Sequence, residues 1–204
     1  MRIGKELIGK PIYSVTDGRQ LGSVKDLYLN LELDMLNGIF LGREGIISRK
    51  SRLIASKDIT VLGIDSVLVS DSDVITTNED TPEVEMWLRR EDIQGREINT
   101  AGGTKVGTVG DVLFDEDARL VGFALARVFV EGPVAESRIV KKEAVLETGG
   151  KAGAITIDLT KAEMPSTEPE VIKEDEELPE AQEEDQPAEV IDKESDDVNT
   201  SDTT

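Results

Sequence analysis

Gln20-Leu21-Gly22-Ser23-Val24-Lys25-Asp26-Leu27-Tyr28 and, 85 residues later, Lys105-Val106-Gly107-Thr108-Val109-Gly110-Asp111-Val112-Leu113 are two versions of one segment. Both place Gly third, a hydroxyl residue fourth, Val fifth and Asp seventh. The likeness extends in both directions. Upstream, Ile8-Gly9-Lys10-Pro11-Ile12 stands beside Gln94-Gly95-Arg96-Glu97-Ile98. Downstream, Leu36 to Leu41 matches Leu120 to Leu125, and Leu53 to Asp58 matches Arg138 to Glu143. The offset slips by one residue only in turn-like stretches, as variation in hairpin length produces. The chain is therefore read as a tandem duplication, with copies at 1–75 and 92–160.

Each copy carries the signals of short antiparallel strands. Asp17-Gly18 and Gly102-Gly103 are turn pairs that tolerate positive φ. Strands are expected from Gln20 through Leu29, from Met35 to Leu41, from Val106 to Phe114 and from Leu120 to Val130. The last is apolar on both faces until Arg127, so both faces should be covered. A copy of about 70 residues has a marginal core, and barrel closure would remove its open sheet edges. The expected fold class is thus all-β, two small antiparallel β-barrels in tandem. Packing of the copies on each other, or homodimerisation, would enlarge the core.

Residues 76–91 read as a linker with a short helix, Thr81 as N-cap and Pro82 at the first helical position. That helix carries Trp87, the one tryptophan, which packs on a barrel or serves as a partner anchor.

Charge divides the chain. It has 43 acidic and 23 basic residues, net −20, but residues 163–204 alone hold 17 acidic and 2 basic. Residues 161–204 are read as a disordered acidic tail. Within it, Pro169-Glu170-Val171-Ile172-Lys173-Glu174 and Ala188-Glu189-Val190-Ile191-Asp192 repeat a Glu-Val-Ile core, read either as short docking motifs or as a chance likeness in a biased composition.

With no His and no Cys, the chain has no imidazole acid or base, no thiolate and no Cys/His metal site. No metal or cofactor is expected. Gly4 to Pro11 has the spacing of a phosphate loop, yet Pro11 stands where the magnesium-binding hydroxyl belongs. Asp115-Glu116-Asp117 reads as a solvated turn rather than a cation site. No apolar run approaches the ~20 residues that span a bilayer, and the first residues lack a secretory pattern. The location expected by default is cytoplasmic. Basic residues gather at matching places, Arg49, Lys50, Arg52 and Lys57 in the first copy and Arg138, Lys141 and Lys142 in the second. They either protect strand edges or bind an anionic surface: membrane lipid, RNA or an acidic partner. The tail could compete for the same residues.

The stretch Leu7-Ile8-Gly9-Lys10-Pro11-Ile12, the turn Asp17-Gly18, Leu21-Gly22-Ser23-Val24-Lys25-Asp26-Leu27 and the closing run Ile54 to Val69 together resemble the PRC-barrel family. This is the family of the cytoplasmic domain of the reaction-centre H subunit and of a domain in a ribosome-maturation factor. The second copy keeps Gly107 to Val112 but departs at Gly149-Gly150-Lys151-Ala152-Gly153. The resemblance implies a non-enzymatic adaptor whose barrels dock a protein partner, with the inner face of the membrane as one place for it. The alternative it leaves open is an RNA- or ribosome-associated assembly factor binding through the basic edges.

Overall fold

The computed structural model describes residues 1–44 and 50–164. Arg2–Ile3 (β1) leads into a 3-10 turn at Gly4–Leu7. The first copy then runs through Pro11–Ser14 (β2), Gln20–Ser23 (β3), Asp26–Leu29 (β4), Leu36–Glu44 (β5), Lys50–Ala55 (β6), Ile59–Leu62 (β7) and Val67–Val69 (β8). Thr76–Thr77 (β9), a 3-10 stretch at Pro82–Met86, Leu88–Arg89 (β10) and Arg90–Ile93 (α1) follow. The second copy is Glu97–Thr100 (β11), Lys105–Phe114 (β12), Leu120–Val128 (β13), Pro133–Ser137 (α2), Ile139–Lys141 (β14), Val145–Glu147 (β15), Ile155–Ile157 (β16) and Leu159–Glu163 (α3).

The duplication is reproduced strand for strand. Ile12 on β2 faces Gly22 across an antiparallel pair and Val67 across a parallel one; Ile98 on β11 faces Gly107 and Ile155 in the same two senses. This corrects the expectation of purely antiparallel closed barrels. In each copy a 3-10 turn, Ser56–Asp58 or Lys142–Ala144, carries the chain onward between two strands without reversing it. Five runs therefore replace the six strands of a simple meander. An odd number leaves the first and last runs pointing the same way, so β2 with β8 and β11 with β16 pair parallel. The same turns interrupt the ladder. Among the described residues the sheets stay open, ordered β3-β2-β8-β7, β10-β4-β5-β6-β9 and β14-β13-β12-β11-β16-β15, with β1 beside β12.

The two copies are interlocked by exchange of their entry segments. β1 of the first pairs with β12 of the second, Arg2 opposite Phe114, while β10 pairs with β4, Leu88 opposite Leu29. The exchange is reciprocal in its hydrogen bonds as well. The Lys5 amide donates to Asp111 Oδ2 at 3.1 Å, and the Glu91 amide to Asp26 Oδ2 at 3.3 Å. Across the hairpin tips, Leu36 N donates to Ala118 O at 3.0 Å and Leu120 N to Asp34 O at 2.8 Å. Pairs of matching bonds with the copies swapped are what a pseudo-twofold axis generates. Burial follows this geometry: one apolar core takes Ile12, Leu27, Ile39 and Val67 from the first copy and Ile98, Val112, Phe123 and Ile155 from the second. A marginal core is thereby doubled without a second chain.

Residues 76–91 add β9 to β6 and β10 to β4, so they complete opposite margins of one sheet. The expected helix is five residues of 3-10 turn that begins at Pro82 with Thr81 at the N-cap as read, although the Thr81 side chain makes no cap bond. The Thr81 amide instead donates back to Thr77 O at 3.0 Å, and its hydroxyl lies 3.2 Å from that of Thr76. Tethered between strands at Thr77 and Leu88, the segment has too little chain for a regular helix.

Candidate docking grooves

Among the described residues, two sheet margins are left without a neighbouring strand beside the junction of the copies. β7 is the outer strand of one sheet, and its counterpart β15 is the outer strand of another. Val61 on β7 is 45% exposed and Leu146 on β15, 85 residues on, is 52% exposed. Among the described residues these edges carry no further strand and hold apolar side chains, the kind of margin to which a strand can be added.

Each edge borders a groove closed on its far side by the other copy. Along β15 a space of about 610 Å³ is lined by Val145, Leu146, Glu147, Thr148, Lys142 and, from the first copy, Glu32. Along β7 a space of about 400 Å³ is lined by Lys57, Ile59, Thr60 and Met35, with Glu116 and Asp117 from the second copy. The two walls of the first groove are stitched together: Thr148 Oγ1 donates to Leu31 O at 2.9 Å and Lys142 Nζ to Glu32 O at 2.5 Å. Burial of Lys142 pushes its pKa down, against the pull of the nearby Asp34 and Glu32 carboxylates. Arg96 supports the groove's far end. It is buried, bonds to Asp92 O and Gly150 O at 2.9 and 2.7 Å and also to Lys151 O, and so fixes the loop after Thr148. Its own pKa is lowered by that burial.

Both grooves mix one lysine with carboxylates and apolar strand residues. Such a surface sets apolar strand residues beside charges of both signs and hydroxyls. Among the described residues no three carboxylates gather as a metal site, and Asp115 instead caps its own turn, accepting from the Asp117 and Arg119 amides.

The basic residues singled out from the sequence are dispersed. Arg49 lies outside the described residues. Lys50 Nζ pairs with Glu79 at 2.6 Å, which raises the lysine pKa, and Arg52 Nε lies 3.5 Å from Glu44. Arg138, in the left-handed region at φ 55°, donates to the carbonyls of Leu125 and Ala126 at the end of α2. Lys141 Nζ reaches Met164 O at 3.4 Å. Only Lys57 and Lys142 line the grooves, one in each, at equivalent positions. Trp87 is partly buried, edge-on to Tyr28 with ring centroids 5.7 Å apart, in a small cluster with Phe40, Leu53 and Val84. Of the tail read at 161–204, residues 161–163 instead end α3, held by the Asp158 cap and buried Ala162, and everything after Met164, both Val-Ile islands included, lies outside the described residues.

Sequence reasoning did not single out Val61, Leu146, Glu32 or Thr148. The repeat offset relates the first two, but three- and four-residue strands are too short for alternation to reveal an open edge. No helix among the described residues is long and apolar enough to cross a membrane.

The family model described as PRC-barrel domain matches the chain twice, over residues 2–81 and 88–163. No curated protein matches the chain.

Proposed function

The chain belongs to the PRC-barrel family, with two copies of the domain, and from that premise we propose that it is a non-enzymatic adaptor docking an extended segment of a partner protein along β7 and β15. The observation that carries this reading is the equivalent exposure of Val61 and Leu146 on two open sheet edges. Added strands gain affinity from main-chain bonds and selectivity from side-chain contacts, here Leu146 with Lys142 and carboxylates in one groove, and Thr60 and Leu62 with Lys57 and carboxylates in the other, beside the exposed Val61. Two such sites on one compact unit make the adaptor bivalent, so two weak dockings reinforce each other when the partner is repeated or clustered, as on a membrane surface. The cations favour protein over RNA. Lys50 and Arg52 pair with Glu79 and Glu44, and Arg138 bonds to backbone carbonyls, which leaves fewer of the matched cations open to phosphates.

The test is capture from nuclease-treated lysate and from salt-washed membranes, comparing the native chain with Val61→Asp, Leu146→Asp and the double variant. Specific partners should be lost stepwise while far-UV circular dichroism is unchanged. Partners kept by the double variant, or removed by nuclease alone, would exclude docking at these edges.

A further inference from the structure

We propose that the segment these grooves take is basic as well as apolar: an extended stretch of a partner protein in which branched apolar residues are flanked by arginine or lysine. The proposal rests on reading the grooves as docking sites and adds the chemistry of what docks. Three observations lead to this occupant.

The first is the pair of lips. Each groove is closed by a hairpin tip of the other copy, and each tip carries its acid at the same place in the repeat, Glu32 in one and Glu116 with Asp117 in the other. The residue that follows is left-handed in both, Leu33 at φ 50° and Ala118 at φ 61°. Reciprocal bonds across the tips, Leu36 N to Ala118 O and Leu120 N to Asp34 O, hold the lips in place. Equivalent acids on equivalent lips give the two grooves one electrostatic character.

The second is which charges already have partners. Asp115 accepts from amides of its own turn, and Asp34 from the Asn30 side chain. Glu32, Glu147, Glu116 and Asp117 are exposed, and among the described residues none of them forms an ion pair. Lys142 donates to the Glu32 carbonyl rather than to a carboxylate. Each rim thus sets two carboxylates against one lysine. An uncharged segment laid along the edge would strip water from those carboxylates and replace it with nothing, whereas an arginine or lysine supplies charge-assisted hydrogen bonds.

The third is what the edges disfavour. The ladder behind each is bulged beside its exposed apolar residue, the register shifting between Ile59 and Val61 in β7 and between Val145 and Glu147 in β15. Two identical bulged edges make a poor ladder with each other, whereas a flexible segment follows a single one. A second copy also brings a net charge of −20 to the contact, and a nucleic acid or acidic peptide brings its own negative charge to the rim. Residues 1–162 hold 26 acidic and 21 basic residues, so the attraction for a cationic segment keeps its sign when the rest of the chain is left aside.

The test uses short synthetic probes of alternating valine and threonine with arginine near both ends, and the same probes with glutamine or glutamate in place of arginine. Each is titrated into the isotope-labelled full chain. The arginine probe should shift the amides of Ile59 to Leu62 and of Val145, Leu146 and Thr148. It should bind about three- to tenfold more tightly than the glutamine probe, the size expected of two exposed ion pairs. Glu32→Gln/Glu147→Gln should remove that preference along β15 alone, and Glu116→Gln/Asp117→Asn along β7 alone. All four side chains are exposed, so the far-UV circular dichroism should not change. Probe attracted to the acidic residues after Met164 contributes alike in every variant. Equal affinity of the arginine and glutamine probes, tighter binding of the glutamate probe, or a preference that survives both rim variants would overturn the proposal. Self-association of the chain that Leu146→Asp abolishes would also overturn it, by giving the edge to a second copy. The two readings fail separately. Groove shifts that ignore probe charge, with partner capture still lost in Val61→Asp/Leu146→Asp, would remove the basic partner and leave the adaptor. Groove amides moved by no probe, with capture insensitive to the same variant, would remove the docking sites themselves.

Discussion

Arg90 grips Asp111 with both arms of its guanidinium, Nε to Oδ1 at 2.7 Å and Nη2 to Oδ2 at 2.6 Å, with less than a tenth of either side chain exposed. The pair sits where the first copy's entry segment crosses into the second. The Lys5 amide bonds the same carboxylate, and a Cβ at Gly4 would lie 2.9 Å from Oδ1 and 3.0 Å from Arg90 Cδ. In the related position Asp26 accepts from Arg89 Nε at 3.0 Å, and the Arg89 guanidinium also lies 4.2 Å from the Phe40 ring centroid. Both acids of the repeated Asp thus anchor the exchanged strands.

Removing one partner of the Arg90 pair leaves a buried charge alone. Asp111→Asn or Arg90→Met should each cost about 3–5 kcal/mol in urea unfolding, and the combined Arg90→Met/Asp111→Leu variant should recover much of the loss. Equal and additive losses would show that the pair contributes no mutual term.

Gly38 and Gly122 occupy the same place in the two copies, and in both a Cβ would run into the backbone of the next strand, 2.6 Å from Ile54 O and 2.5 Å from Val140 O. Neither carbonyl can move without breaking its ladder. Gly38→Ala and Gly122→Ala should each destabilise by roughly 1–3 kcal/mol, read as a lower urea midpoint with the slope unchanged. A neutral result at either would mean that the sheets tolerate a local bulge there.

Because each copy borrows a strand from the other, neither should fold alone. Residues 1–84 expressed without the rest lose β10 and the Arg89 partner of Asp26; residues 85–164 lose β1. Each fragment should melt without cooperativity, whereas an equimolar mixture should regain a cooperative transition, followed by circular dichroism. Cooperative melting of either fragment by itself would show that the exchange is dispensable.

Acid should weaken the fold. Hydrogen bonds from the Ser72 and Ser14 hydroxyls hold the Asp17 carboxyl below its usual range, those from Thr77 do the same for Asp80, and the Lys105 ammonium does so for Glu97. A carboxyl depressed in the folded state binds its proton more readily when unfolded. Its contribution is therefore complete above the ordinary value of about 4 and is lost as pH falls through the folded value. The urea midpoint should drop between about pH 5 and pH 2, and the drop should be shallower in Asp17→Asn/Asp80→Asn/Glu97→Gln. All three groups face solvent, so salt should shrink the difference.

The repeat and the strand content were legible because both are written in local pattern. Gly22 and Gly107, Leu36 and Leu120, and Ile54 and Ile139 keep matching roles in the sequence and fall in matching strands. The parallel pairing was not legible, because it turns on whether Ser56–Asp58 reverses the chain, and three polar residues suit a reversing turn as well as a 3-10 continuation. The basic cluster dissolved for a related reason. Lys50, Arg52 and Arg138 look alike in sequence, but strand register hands two of them to carboxylates and the third to carbonyls.

The amino-acid order by itself determined that this chain is a duplicated, strand-rich body without imidazole or thiol chemistry and with its acidity concentrated at one end, since composition and periodicity are properties of neighbours along the chain. Only the tertiary structure decided that the copies exchange entry strands, that Asp26 and Asp111 fasten that exchange, and that Val61 and Leu146 lie on open edges. Those facts depend on which residues meet across 60 to 110 positions of sequence, and such meetings are settled by the burial of a shared core and the satisfaction of buried backbone and charge, which no local pattern encodes.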